Sequence, residues 1–93
     1  MMYHIKFTNA YKKGYKLAKK RGLNLSLLEN VVSDLREGKP LAAKYRDHEL
    51  RGNWNGFHEC HIQPDWLLIY LIENDILTLT LVDTGSHSDL LDR

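Results

Sequence analysis

Seven residues from Trp66 to Ile72 are apolar without interruption, and Pro64-Asp65 before them and Glu73-Asn74-Asp75 after them hold the run to the length of one strand. A strand with no polar position offers neither face to water, so this run predicts a central strand covered on both sides. At 93 residues the chain has material for one modest core and no second. The rest of a single domain spanning residues 1–93 must therefore be arranged around this strand.

Flanking signals supply the other elements. Tyr3, Ile5 and Phe7 alternate with His4 and Lys6, which predicts a short first strand over His4 to Phe7. Thr8 is a suitable N-cap for a helix from Asn9 to Arg21, with Tyr11, Tyr15 and Ala18 at helical spacing and Gly22 as its stop. Gly14 lies inside this helix, where glycine weakens a helix by about 1 kcal/mol relative to alanine. A second helix opens at Asn24 or Ser26, the latter spaced from Glu29 as a capping box. It carries an apolar stripe of Leu28, Val31, Val32 and Leu35 and ends at Gly38 and Pro40. Asn55-Gly56 favours a tight hairpin turn between strands over Leu50 to Trp54 and Phe57 to Ile62. Ile76 to Val82 forms the last strand, with Leu77, Leu79 and Leu81 alternating against Thr78 and Thr80, and a short segment from His87 to Arg93 follows Gly85. The order β-α-α-β-β-β-β is that of an α+β domain with a mostly antiparallel sheet and both helices on one face.

Charge is unevenly spread. Residues 1–28 hold seven basic side chains, Lys6, Lys12, Lys13, Lys16, Lys19, Lys20 and Arg21, and no acidic one; the other 65 residues hold six basic and twelve acidic groups. A segment of one sign suits a phosphate backbone, and suits an acidic protein partner equally. No apolar run approaches the roughly 18 residues of a membrane span, and no secretory signal opens the chain, so no membrane role and a cytoplasmic address are expected. Cys60 is the single cysteine, which excludes an internal disulfide.

The chemistry-bearing residues are His48, His61, Asp65 and His87. Histidine exchanges protons near neutral pH, and three imidazoles with a carboxylate around one small sheet suit acid-base catalysis. Lys44, Arg46 and Arg51 would surround them with positive charge. That set fits metal-free cleavage of RNA, which needs a base for the 2′-hydroxyl, an acid for the departing 5′-oxygen and cations for the charge that builds on phosphorus. The string His58-Glu59-Cys60-His61 has a metal-like look, but on a strand only His58 and Cys60 converge and no second pair completes a tetrahedral set, so no metal or other cofactor is expected. Ser86 beside His87 lacks the nucleophile-elbow motif. Cys60, on the core side of its strand, reads as a small hydrophobe. Trp66 has two readings, a core anchor and a base-stacking platform for substrate.

Three segments, Tyr45 to Gly56, His61 to Tyr70 and Thr84-Gly-Ser-His87, resemble the YafQ branch of the RelE-like toxins of bacterial toxin-antitoxin modules. The likeness extends over nearly the whole chain. It implies a ribosome-dependent endoribonuclease that cuts messenger RNA without a metal, with His48, His61, Asp65 and His87 as its functional residues. It also implies that Lys12, Lys13, Lys16, Lys19, Lys20 and Arg21 face ribosomal RNA. The resemblance further implies a cognate antitoxin, expected to carry a ribbon-helix-helix DNA-binding half, so that operator DNA is reached only through the toxin-antitoxin complex. One position departs from the family pattern: Leu91 stands where an aromatic residue follows the last histidine by four places, and a leucine forgoes stacking worth about 1–3 kcal/mol per base. The rival reading is a catalytically weakened toxin fold that only binds an antitoxin or nucleic acid.

Overall fold

The structure, a computed structural model, describes residues 2–91 and only the backbone of Leu91. The chain forms β1 (His4–Phe7), α1 (Asn9–Lys20), α2 (Leu25–Arg36), β2 (His48–Glu49), β3 (His58–Gln63), β4 (Trp66–Glu73), β5 (Thr78–Gly85) and α3 (His87–Leu91), with short 3-10 turns at Ala43–Tyr45 and Gly52–Trp54. One five-stranded sheet has the order β1-β5-β4-β3-β2, so β4 is central, as its unbroken apolar run requires. The last strand inserts between the first and the fourth. It runs parallel to β1 and antiparallel to β4, and the β2–β3 and β3–β4 pairings are antiparallel.

Both long helices cover one face of the sheet. Tyr11 and Ala18 of α1 and Leu28, Val31 and Leu35 of α2 share a core with Cys60, Leu68, Tyr70, Leu79 and Leu81. Thr8 caps α1, its hydroxyl accepting the Tyr11 amide at 3.0 Å. Asn24, not Ser26, caps α2: its Oδ1 accepts the Ser26 amide at 3.1 Å and the Ser26 hydroxyl at 2.6 Å. The Ser26–Glu29 capping box does not form, and Glu29 accepts instead from the Tyr15 hydroxyl at 3.2 Å.

Other expectations are corrected, the first being the strand over Leu50 to Trp54: β2 is only His48–Glu49, and Gly52–Trp54 is a 3-10 turn. Asn55-Gly56 is not the two-residue link of a hairpin, because Asn55 has φ −57° and ψ 131° while Gly56 has φ +94°. With the Phe57 amide bonded to the Trp54 carbonyl at 2.9 Å, this is a type II turn inside a wider loop joining β2 to β3. The tight link is Pro64-Asp65, where Gln63 pairs directly with Trp66. The final strand starts at Thr78 rather than Ile76, since Leu77 adopts φ +48° and turns the chain. Finally, β5 bulges at Val82: Leu81 pairs with Tyr70 but Asp83 with Ile69. An extra residue reverses the alternation beyond it and puts Thr84 on the helix side, where the leucine pattern would have put Asp83.

That reversal explains Gly14. A Cβ at this position would lie 2.1 Å from the Thr84 carbonyl oxygen, so α1 approaches β5 backbone to backbone.

Candidate active site

Residues paired across a sheet share a face, and the register places His48 opposite Glu59 and His61 opposite Leu67, on the face away from α1 and α2. His61 lies two residues beyond Glu59 on that face, and the Pro64-Asp65 turn carries Asp65 to the same end of the sheet. β5 runs back to this end and delivers His87 at the first turn of α3. The three imidazoles form a row, with ring centroids 6.5 Å apart for His48 and His61 and 5.7 Å apart for His61 and His87.

Each ring is held at Nδ1 by an acceptor. His48 Nδ1 meets the Arg46 carbonyl at 2.8 Å, His61 Nδ1 the Pro64 carbonyl at 3.3 Å and His87 Nδ1 the Asp65 carboxylate at 2.6 Å. Carbonyl and carboxylate oxygens only accept, so the geometry assigns the Nδ1–H tautomer throughout and leaves Nε2 for chemistry. His48 Nε2 stands 3.5 Å from Glu59, which can pair with the protonated ring. Asp65 also accepts the His87 backbone amide at 3.0 Å. Both bonds from His87 hold the Asp65 carboxyl below the ordinary carboxylate range, the backbone bond most strongly, so Asp65 acts as a fixed anion.

Beside His61 lies a cleft of about 400 Å³ lined by Lys44, Arg46, Gln63 and Pro64 among others. Arg46 bends the chain here with φ +51°, a left-handed conformation costly for a residue with a side chain, and its carbonyl is the one that orients His48. Arg51 is exposed at the start of the second 3-10 turn and is not part of this lining. A larger cavity of about 590 Å³ lies between β1 and the helices, lined by Phe7, Tyr11, Tyr15 and Val32, and holds none of the histidines.

Several candidates take other roles. Trp66 is 2% exposed and donates its indole N–H to the Thr84 hydroxyl at 3.0 Å, so it anchors the core and offers no ring to a base. Cys60 is fully buried, and burial pushes its thiol up to about 12, which keeps it an unreactive S–H. His58 stacks on Tyr70 at 5.3 Å on the helix side, 3.7 Å from Asp47, apart from the row. The Ser86 hydroxyl accepts the Asp89 amide at 3.1 Å and serves as a helix cap. Lys12, Lys13, Lys16, Lys19 and Lys20 are exposed, whereas Arg21 is engaged by Asp89 at 2.7 Å. The side chain of Leu91 lies outside the described residues. Sequence reading missed Glu59, although strand alternation already put it on the face of His61. It also missed Asp89, whose spacing from Ser86 is that of a capping box.

A family model described as a bacterial toxin of type II toxin-antitoxin system, YafQ, matches residues 3–92. The chain is 37% identical over 87 residues to the mRNA interferase toxin YafQ of Escherichia coli (strain K12), a match covering 92% of each. A chain of the E. coli DinJ-YafQ toxin-antitoxin complex superposes with TM-score 0.88 at 35% identity, covering 97% of this chain and 98% of that one. A metal-bound toxin from Helicobacter pylori superposes with TM-score 0.89 at 44% identity, over 97% and 99% of the two chains. Among the described residues here, no three His, Cys, Asp or Glu side chains are placed to share a metal ion. The family model spans almost the whole chain and the fold agrees with it from β1 to α3, so this chain belongs to the YafQ family of bacterial type II toxin-antitoxin toxins.

Proposed function

We propose that this protein is the toxin of a type II toxin-antitoxin module and cuts messenger RNA on the ribosome by acid-base catalysis from its histidines. The observation that carries the reading is the row of three imidazoles with every Nδ1 tied down. A ring fixed at one nitrogen and open at the other is prepared to move a proton at a defined place. In the reaction, one imidazole Nε2 takes the proton of the 2′-hydroxyl, the 2′-oxygen attacks phosphorus, and the bond from phosphorus to the 5′-oxygen breaks. A second imidazole of the row protonates the departing 5′-oxygen. Asp65 holds His87 in place and stabilises its charged form, while Lys44 and Arg46 supply cations for the charge on phosphorus. The exposed lysines of α1 meet ribosomal RNA.

The partner is a cognate antitoxin, an expectation supported by the fold shared with a chain of the E. coli toxin-antitoxin complex. Its ribbon-helix-helix half would carry the pair to operator DNA. Among the described residues no helix is long and apolar enough to cross a membrane; action on ribosomes in the cytoplasm is part of the proposal.

Metal-stripped toxin added to ribosomes holding a message should cut it to fragments ending in a 2′,3′-cyclic phosphate and a 5′-hydroxyl. Folded toxin that binds the ribosome and leaves the message whole would replace the nuclease with a binding module. Activity that returns only when a metal is restored to the toxin would overturn the metal-free mechanism.

A further inference from the structure

Arg21 differs from the lysines that precede it. It closes α1, where the helix dipole favours a cation, and its guanidinium forks onto Asp89, Nη1 to Oδ2 at 2.7 Å and Nη2 to Oδ1 at 3.2 Å. Asp89 sits in the first turn of α3. Its Oδ2 accepts the Ser86 amide at 2.9 Å while its own amide goes to the Ser86 hydroxyl at 3.1 Å, a reciprocal cap. His87 lies between the two capping residues, with its amide on Asp65. The seat is close: a Cβ on Gly85 would come within 2.9 Å of the Asp89 Cβ.

A helix of five residues cannot hold itself together. The direction of the His87 ring therefore depends on the side chains that bind this turn, and two aspartates do so at its N-terminal end, Asp65 on the His87 amide and Asp89 on the Ser86 amide. Asp65 ties it to the start of β4, and Asp89 ties it through Arg21 to the end of α1. The Arg21 and Ser86 bonds hold the Asp89 carboxyl well below the ordinary range, so the clamp stays charged at any working pH.

We propose that Arg21 is a positioning residue for His87: by gripping Asp89 it seats the α3 turn on the end of β5 and keeps the imidazole in the row with His61. The assignment rests on His87 taking part in the cleavage proposed above. It moves Arg21 out of the ribosome-facing set. The Arg21 end of the pair is open to solvent at 45% exposure while Asp89 is 17% exposed, and the pair lies outside the hydrophobic core, so the fold is expected to survive its removal; circular dichroism checks that for each variant.

The test compares Arg21→Ala, Arg21→Lys, Asp89→Asn and the Arg21→Ala/Asp89→Asn pair with His87→Ala. Single-turnover cleavage is measured at saturating ribosome-message complex, ribosome affinity is measured separately, and hydrogen exchange is followed at the Ser86 and His87 amides. Arg21→Ala should cut about tenfold more slowly or worse with affinity unchanged, because small misplacements of a catalytic group are amplified in rate. Exchange at both amides should accelerate, Arg21→Lys should lie between parent and alanine, and the pair should be no slower than its slower member, since both changes break one bond. A slow His87→Ala beside an Arg21→Ala with parental rate and exchange would overturn the proposal. So would an Arg21→Ala that loses affinity but keeps its rate at saturation, because Arg21 would then be a ribosome contact. Parental cleavage by His87→Ala would overturn instead the reading of His87 on which the proposal rests.

Discussion

At the scale of single residues, the site is a set of orientations. In the proposed mechanism a histidine moves a proton at Nε2, and each ring of the row is held for that from behind, by a carbonyl or carboxylate on Nδ1. Asp65 carries two roles with one oxygen, accepting from the His87 ring at 2.6 Å and from its amide at 3.0 Å. His87→Ala should therefore lower the single-turnover rate by about 100- to 10,000-fold while leaving ribosome affinity nearly intact, because the loss falls on the transition state. The ratio of rate to affinity loss reads this directly, and equal losses in both would make His87 a binding residue. Because its bonds from His87 hold the Asp65 carboxyl below the ordinary carboxylate range, Asp65 remains an anion throughout that range and contributes no limb to the pH-rate profile within or above it.

Among the elements, the contact between α1 and β5 decides the most. Propensity alone says that Gly14→Ala should strengthen α1 by about 1 kcal/mol. The structure reverses the sign, because the added methyl would sit 2.1 Å from a backbone oxygen of the central sheet, which cannot swing aside as a side chain would. Gly14→Ala should instead destabilise the protein by about 1–3 kcal/mol, as overpacked sites do, measured as a lower midpoint in urea at unchanged m-value. The contact exists because the bulge at Val82 brings Thr84 to the helix side, where its hydroxyl also bridges the Trp66 indole and the Leu67 carbonyl. One irregularity in β5 thus seats a helix and fixes the base of β4, one residue after Asp65.

For the whole molecule, charge and chemistry are separated by the sheet. The lysines of α1 lie on the helix side, and the His48–Glu59 pair and His61 on the other. Reversing Lys12, Lys13, Lys16 and Lys19 to glutamate together should weaken ribosome association and flatten its dependence on salt, since each lost phosphate contact releases fewer counterions. Cleavage at saturating ribosome should survive. Affinity measured across a salt series checks this, and an unchanged slope would leave the basic helix with no part in RNA contact.

Local chemistry made much of the protein legible in its sequence. The apolar run from Trp66 to Ile72 required a central strand, Thr8 and Gly22 bounded α1, and strand alternation separated His61 from His58, because each of these depends on neighbours a few residues away. His48, His61, Asp65 and His87 stood out as residue types suited to proton transfer. What no local pattern contained is how the ends of the chain meet. The insertion of β5 between β1 and β4, the contact of Gly14 with Thr84, the Asp65–His87 bond and the Arg21–Asp89 clamp join residues up to 74 positions apart. Trp66 shows the same division: its strand could be foreseen, but whether its ring faced a base or the core depended on a register set across the whole sheet. Period and turn type follow from the chain's own backbone, whereas strand order and pairing follow from which arrangement buries the most apolar surface at once, and that is decided only when every element is in place.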